Sequence, residues 1–135
     1  MQFEEELRDA GRSAADFHEC RKRTKTHGYH FRLWRNLWPK QMRVWQQELG
    51  RLSERLGEEH DLAVLEPWLA EHADTSTADD VRKLPVLIAT RRENLRGEAL
   101  VLSERLFAAR PRAFDRQISA WWKTQAAYAA IVAEE

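Results

Sequence analysis

Basic side chains recur at intervals of three and four residues near the start of the chain. At this spacing the side chains of a helix share one face. Guanidinium groups hold phosphate oxygens in pairs, ammonium groups act as mobile point charges, and tyrosine and histidine add hydrogen-bond donors. The pattern therefore predicts an anion-binding helix face. Its members are His18, Arg21, Lys22, Lys25, Tyr29 and Arg32.

The length of this face favours an extended anion over a single phosphate. From His18 to Arg32 a helix rises about 21 Å. The four lysines and arginines have no acid within their own stripe, and like charges four residues apart destabilise a helix by a few tenths of a kcal/mol. A solvated face, or one paired with acids elsewhere in the chain, would explain the same pattern. Composition alone leaves both interpretations open.

The net charge of zero conceals an uneven distribution of charge. Eight lysines and arginines stand between residues 18 and 43, against the single acid Glu19. Between residues 48 and 80 there are ten acids, against Arg51 and Arg55. A folded chain with this asymmetry has a strong local field. A polyanion binder is therefore not excluded by the net charge.

Motifs for other chemistry are missing from the sequence. It has no glycine loop that cradles phosphate, no nucleophile elbow, and no paired-carboxylate or zinc motif, so no cofactor is implied. The single cysteine, Cys20, is predicted to lie in the core, and His27 to lie in or near it. An alternative is a metal-dependent phosphate-handling enzyme that uses His18 or His60. For Asp61 we favour a cap of a helix that starts at Leu62.

The apolar residues repeat with helical periodicity throughout, which predicts an all-α fold without strands. Ser13 is a candidate cap, Gly57 a candidate terminator, and Pro67 is expected to bend its helix or confine it to single turns. The polar run from His72 to Thr77 is predicted to be a loop. We predict helices over Phe3–Ala10, Ala14–Leu37, Lys40–Leu56, Asp61–Glu71, Asp79–Ala109 and Arg112–Val132.

Long helices with short connections predict one domain over residues 1–135, an antiparallel up-and-down bundle of about four long helices. The longest apolar run, Ala126–Ala130, is too short to cross a bilayer, so we expect a cytoplasmic location and no membrane partner. Five tryptophans are predicted to pack on the apolar faces of the helices: Trp34, Trp38, Trp45, Trp68 and Trp121. The core stripe of the first long helix should comprise Phe17, Cys20, Thr24, His27, Phe31, Trp34 and Trp38.

Three stretches resemble the CHAD family, the conserved histidine α-helical domains. The stretch from His18 to Tyr29 is similar to its signature of His, two residues, Arg-Lys, two residues, Lys, three residues and Tyr. Residues 56–65 resemble its Leu-Gly, Asp and Val segment. Residues 109–114, followed by Trp121 and Trp122, resemble its closing helix.

The resemblance implies a non-catalytic helical domain that binds inorganic polyphosphate through a basic groove, alone or attached to a triphosphate-tunnel enzyme. It also suggests a location on polyphosphate granules. Carried over by position, the binding residues are His18, Arg21, Lys22, Lys25 and Tyr29, and the helix geometry adds Arg32. Arg8 and Arg12 resemble a remnant of the family's upstream helix.

Two departures from the family pattern bear on the site. CHAD domains generally contain two facing copies of the helical unit, whereas this chain has room for one and resembles the C-terminal half. A second copy, or a missing N-terminal half, is therefore an expected partner. Gly28 stands where a bulkier residue is common and should weaken the grip. A protein-interaction bundle remains an alternative, and any nucleic-acid binding should be indifferent to sequence.

Overall fold

The computed structural model describes residues 14–72 and 79–134, with side chains from residue 17 onward. Within these ranges the fold is all-α, four packed helices without a strand. The predicted helix Phe3–Ala10, the cap Ser13 and residues 73–77 of the predicted loop lie outside the described residues. The helices are α1 (Ala14–Leu33), α2 (Pro39–His72), α3 (Asp79–Leu106) and α4 (Pro111–Ala133).

The first helix buries one narrow stripe. Phe17, Cys20, Thr24 and Phe31 are fully buried, as the three-four spacing predicts. The Thr24 hydroxyl donates to the Cys20 carbonyl oxygen at 2.9 Å, so this polar side chain is satisfied within its own helix. His27 and Trp34 are half-buried at the end of the stripe. The opposite face of α1 therefore faces solvent.

Helix α2 runs antiparallel to α1, and α3 runs antiparallel to α2. Phe31 near the end of α1 stacks on Trp45 near the start of α2, with ring centroids 5.1 Å apart. Arg92 of α3 pairs with Glu66 near the end of α2. The shared core is apolar and includes Met42, Leu49, Leu52, Leu56, Ala99 and Leu106.

The predicted break in the second helix is wrong. Helix α2 continues through Gly57, which does not have a positive φ, and through Asp61, which is exposed in mid-helix and is not a cap. The helix continues because Leu52, Leu56 and Glu59 form one buried face on both sides of the glycine. Pro67 removes one backbone donor at an exposed position, and α2 extends past it to His72.

Other predicted ends shift by a few residues. Helix α1 ends at Leu33 and is followed by a turn in which the Leu37 amide donates to the Trp34 carbonyl oxygen at 2.9 Å. Helix α3 ends at Leu106, three residues before the predicted end. These differences leave the order of the helices unchanged.

Helix α4 packs through aromatic side chains, and none of its residues is fully buried. Trp121 meets Trp38 edge to face at 5.2 Å, and the Gln125 amide donates to the Asn36 carbonyl oxygen at 3.3 Å. Trp38, predicted to belong to the core stripe of the first long helix, lies beyond the end of α1 and is 37% exposed. Trp68, which the sequence places in a seam, is 54% exposed and stacks on His72 instead. No helix in the described ranges is long and apolar enough to span a membrane.

Candidate anion-binding site

The residues predicted to form the basic face do share one side of α1. Lys22, Lys25, Tyr29 and Arg32 are exposed, and Tyr29 remains 61% accessible. The Arg32 guanidinium lies over the Tyr29 ring, 5.8 Å from its centroid. His18, like Arg21, is half-buried against α2. Arg8 and Arg12 lie outside the described residues.

At the inner end of this face α1 and α2 approach closely. The rings of His18 and His60 lie 5.0 Å apart between centroids, in a tilted arrangement. One turn along, a Cβ on Gly57 would lie 3.8 Å from the Nε of Arg21. At this distance a methyl group would make ordinary van der Waals contact with Arg21, so the arginine side chain packs beside Gly57. Sequence reasoning did not connect His18 with His60, although an antiparallel helix pair with a short turn brings their positions together.

Two nitrogen atoms at this end are buried without a hydrogen-bond partner among the described residues: His18 Nδ1 and Arg21 Nε. They lie three residues apart on α1, hence on the same face. An unpartnered buried polar atom costs free energy, about 1–3 kcal/mol and more when the group is charged. The inner end therefore has two nitrogen atoms that form no hydrogen bond with the described residues, and it carries the positive charge of Arg21.

At the outer end the face borders an open cleft between α1 and α2, of about 250 Å³. Lys25, Tyr29 and Arg32 line one wall, and Gln46 and Ser53 line the other. Both walls also include a glycine, Gly28 on α1 and Gly50 on α2. No atom lies within 4 Å of where a Cβ on either glycine would be. The cleft thus combines two cations with polar donors and free space.

Where side chains are described, no acid of α2 forms a salt bridge with a cation of this face. Glu58 pairs with Arg91, and Glu59 pairs with Arg92 and Arg96, all on α3. Hydrogen bonding from Arg91 lowers the pKa of the Glu58 carboxyl and raises that of Arg91 itself.

Salt bridges on α1 itself are few. Glu19 lies 3.6 Å from both Lys22 and Arg23, in exposed pairs of little energetic weight. Among the residues whose side chains are described, no salt bridge joins an acid to Arg21, Lys25 or Arg32. The positive charge of the face is therefore largely uncompensated within this part of the chain.

A family model for the CHAD domain matches residues 2–70, more than half of the chain. The chain belongs to the CHAD domain family. The match includes the whole of α1 and α2 up to residue 70, so the basic face and its contacts with α2 lie in the CHAD region. Residues 109–122, which resemble a CHAD closing helix, lie beyond it. No protein with a curated description and no solved structure matches the chain.

Helix α3 lies outside the residues that match the CHAD model, and several of its cations form salt bridges within the fold. These cations are Arg91, Arg92 and Arg96. All three pair with α2 acids, and the Arg96 guanidinium also lies 4.8 Å from the centroid of the Phe17 ring. They therefore tie α3 to α2. Sequence reasoning missed Glu59 as the acceptor of Arg92 and Arg96, although Glu59 continues the spacing of Leu49, Leu52 and Leu56.

The described histidines of α1 form two separate groups. Within the described ranges no group of three or more His, Cys, Asp or Glu side chains could hold a metal ion. His27 and His30 lie 6.1 Å apart between ring centroids, on the part of α1 that faces α3 and α4. Burial, with a smaller contribution from His30, lowers the pKa of His27. These two histidines are separate from the pair formed by His18 and His60.

Proposed function

We propose that this CHAD domain binds inorganic polyphosphate, without turning it over, through the basic face of α1. One observation carries the proposal: among the residues whose side chains are described, no salt bridge reaches Arg21, Lys25 or Arg32, while Glu58 and Glu59 of α2 pair with α3. Keeping like charges together on one helix is unfavourable unless an anion offsets them. The CHAD resemblance implies the same class of ligand.

The shape of the face supports a linear polyanion. From His18 to Arg32 the face extends over about 21 Å of helix. The outer half offers mobile or exposed groups, Lys22, Lys25 and Arg32, which suit successive phosphates of a chain. The inner half offers the half-buried side chains of His18 and Arg21, which suit oxygens of one phosphate held more closely.

We also propose that the groove is completed by a second helical unit, a further copy of this chain or an N-terminal half. The α1 face is open on its outer side, where Tyr29 and its neighbours are exposed. A linear polyanion held on one side only would keep half of its oxygens in water. A facing unit would contribute the remaining cations. A protein that binds polyphosphate in this way would associate with polyphosphate granules in the cytoplasm.

The test is a binding titration of long-chain polyphosphate, against DNA of equal phosphate content, over a salt series. Lys22→Glu and Lys25→Glu are introduced together. The matched control reverses two lysines away from the face, Lys40→Glu with Lys123→Glu. We expect tight, strongly salt-dependent polyphosphate binding, with a slope of log K against log salt reduced by roughly two in the first variant alone.

Two results would contradict the proposal. One is equal binding of polyphosphate by the wild type and by the variant that lacks Lys22 and Lys25. The other is the absence of binding by either polymer. Equal affinity for DNA and polyphosphate would instead indicate a general polyanion surface.

A second candidate function is favoured by the approach of His18 to His60. Two imidazoles at this distance could share a divalent metal with a phosphate and support phosphate transfer or hydrolysis. The assay is shortening of polyphosphate with added Mg²⁺ or Mn²⁺, followed by electrophoresis. Metal-dependent turnover that is lost in both His18→Gln and His60→Gln would support this candidate over pure binding.

A further inference from the structure

A second cleft lies where the end of α1 meets α2, the end of α3 and the start of α4. It has a volume of about 310 Å³. This is at the lower end of the range of about 300–1000 Å³ that is typical of small-molecule sites. Its walls are mainly aromatic, and its charged group is one carboxylate. The residues that characterise it are Phe31, Trp34, Trp45, Phe107, Phe114 and Asp115.

The aromatic walls come together only in the folded chain. Phe114 of α4 lies 5.8 Å from Phe31, 6.1 Å from Trp34 and 5.9 Å from Trp45, measured between ring centroids. Phe107, in the turn after α3, lies 5.4 Å from the ring of His27. Aromatic faces carry partial negative charge and attract cations. The walls thus favour a ligand that is both apolar and positively charged.

The charge of this cleft is opposite to that of the basic face. Asp115 is exposed at its edge, and no lysine or arginine side chain lines it. Its other ionisable groups are the imidazoles of His27 and His30. The lowered pKa of His27 keeps that imidazole uncharged at neutral pH. An anion would meet Asp115 at the edge, whereas a cation would be attracted by it.

We propose that this cleft binds a small organic cation of the arylalkylamine class. The ring of the ligand would pack among Trp34, Trp45 and Phe114, and its ammonium group would lie near Asp115. The site is independent of the polyphosphate site, because the two are lined by different residues and attract opposite charges.

Phenethylamine and 3-phenylpropanoate are suitable probes, since they share a phenyl ring and a two-carbon linker but differ in charge. Calorimetry gives the two affinities, and NMR of the tryptophan indole N–H groups gives the location. We expect phenethylamine to bind more tightly and to shift the signals of Trp34 and Trp45. The signal of Trp68, which lies near the end of α2, should stay unchanged.

Asp115→Asn should weaken phenethylamine binding by about two- to fivefold, the size expected of one exposed charge contact. Asp61→Asn, an exposed acid on α2, is the matched control and should leave the affinity unchanged. Equal affinity for the two probes, no effect of Asp115→Asn, or no binding of phenethylamine would overturn the proposal. Unchanged phenethylamine binding in the Lys22 and Lys25 variant would show that this site is separate from the basic face.

Discussion

The Oε1 atom of Glu59 on α2 lies 3.0 Å from Nε and 2.9 Å from Nη2 of Arg96 on α3. The same oxygen accepts hydrogen bonds from Arg92, at 3.2 Å from Nε and 3.0 Å from Nη2. The Glu59 side chain is only 2% exposed, so the two guanidinium groups replace its water. This carboxylate fixes the register of α3 against α2.

Replacing Glu59 by Ala should strongly destabilise the fold, because two arginines would lose their common acceptor in a buried setting. Breaking a buried ion pair typically costs about 3–5 kcal/mol. Urea unfolding followed by circular dichroism measures the change. Glu58→Ala is the matched control, since the pair of Glu58 with Arg91 is exposed and should contribute little. Similar losses in the two variants would contradict the structural role of Glu59.

Arg21→Met should separate binding from stability. The substitution removes a buried, unpartnered nitrogen, so the free energy of unfolding should stay the same or rise. If a phosphate oxygen pairs with Arg21, polyphosphate affinity should fall about tenfold or more, as for a hydrogen bond to a charged group. Arg23→Met, on the same helix and paired with Glu19, serves as control. A loss of stability without a loss of affinity would assign Arg21 a structural role.

The basic face and the core stripe of α1 could be predicted because both depend on local periodicity. Spacing of three and four residues fixes which side chains share a face, and the burial of Phe17, Cys20, Thr24 and Phe31 confirms it. The resemblance to the CHAD signature covers the same helix, and the family match confirms that assignment.

The continuity of α2 could not be predicted from local signals. Gly57, Asp61 and Pro67 each favour a helix end, but the buried face that includes Leu56 and Glu59 outweighs them. The pairing of Glu59 with α3 depends on the register between helices that are distant in sequence. The exposure of Trp68 likewise depends on where α3 lies, which periodicity within α2 does not determine.

Gly28→Ala should stabilise the protein by about 0.5–1 kcal/mol, since alanine is the better helix former and nothing lies within 4 Å of the new Cβ. Thermal or urea unfolding tests this. Gly97→Ala is a useful comparison, because it is also helical with free space around the Cβ position but lies on α3. Polyphosphate affinity should be unchanged in both. A destabilised Gly28→Ala variant would contradict the presence of free space around the Cβ position of residue 28.

His27 should make the fold less stable as the pH falls. Burial lowers its pKa in the folded state below the ordinary value of 6.5, so below that pH the unfolded chain takes up the proton more readily. The contribution vanishes well above pH 6.5, where the imidazole is neutral in both states, and it grows as the pH drops toward the folded-state pKa. Urea unfolding between about pH 7.5 and about pH 5.5, roughly one unit on either side of 6.5, measures the slope. His27→Gln should flatten it, whereas His72→Gln, at the exposed end of α2, should not. An equal slope in the wild type and in His27→Gln would show that other groups control how stability changes at low pH. It would also show that the packing of His27 against Phe107 does not couple its protonation to folding.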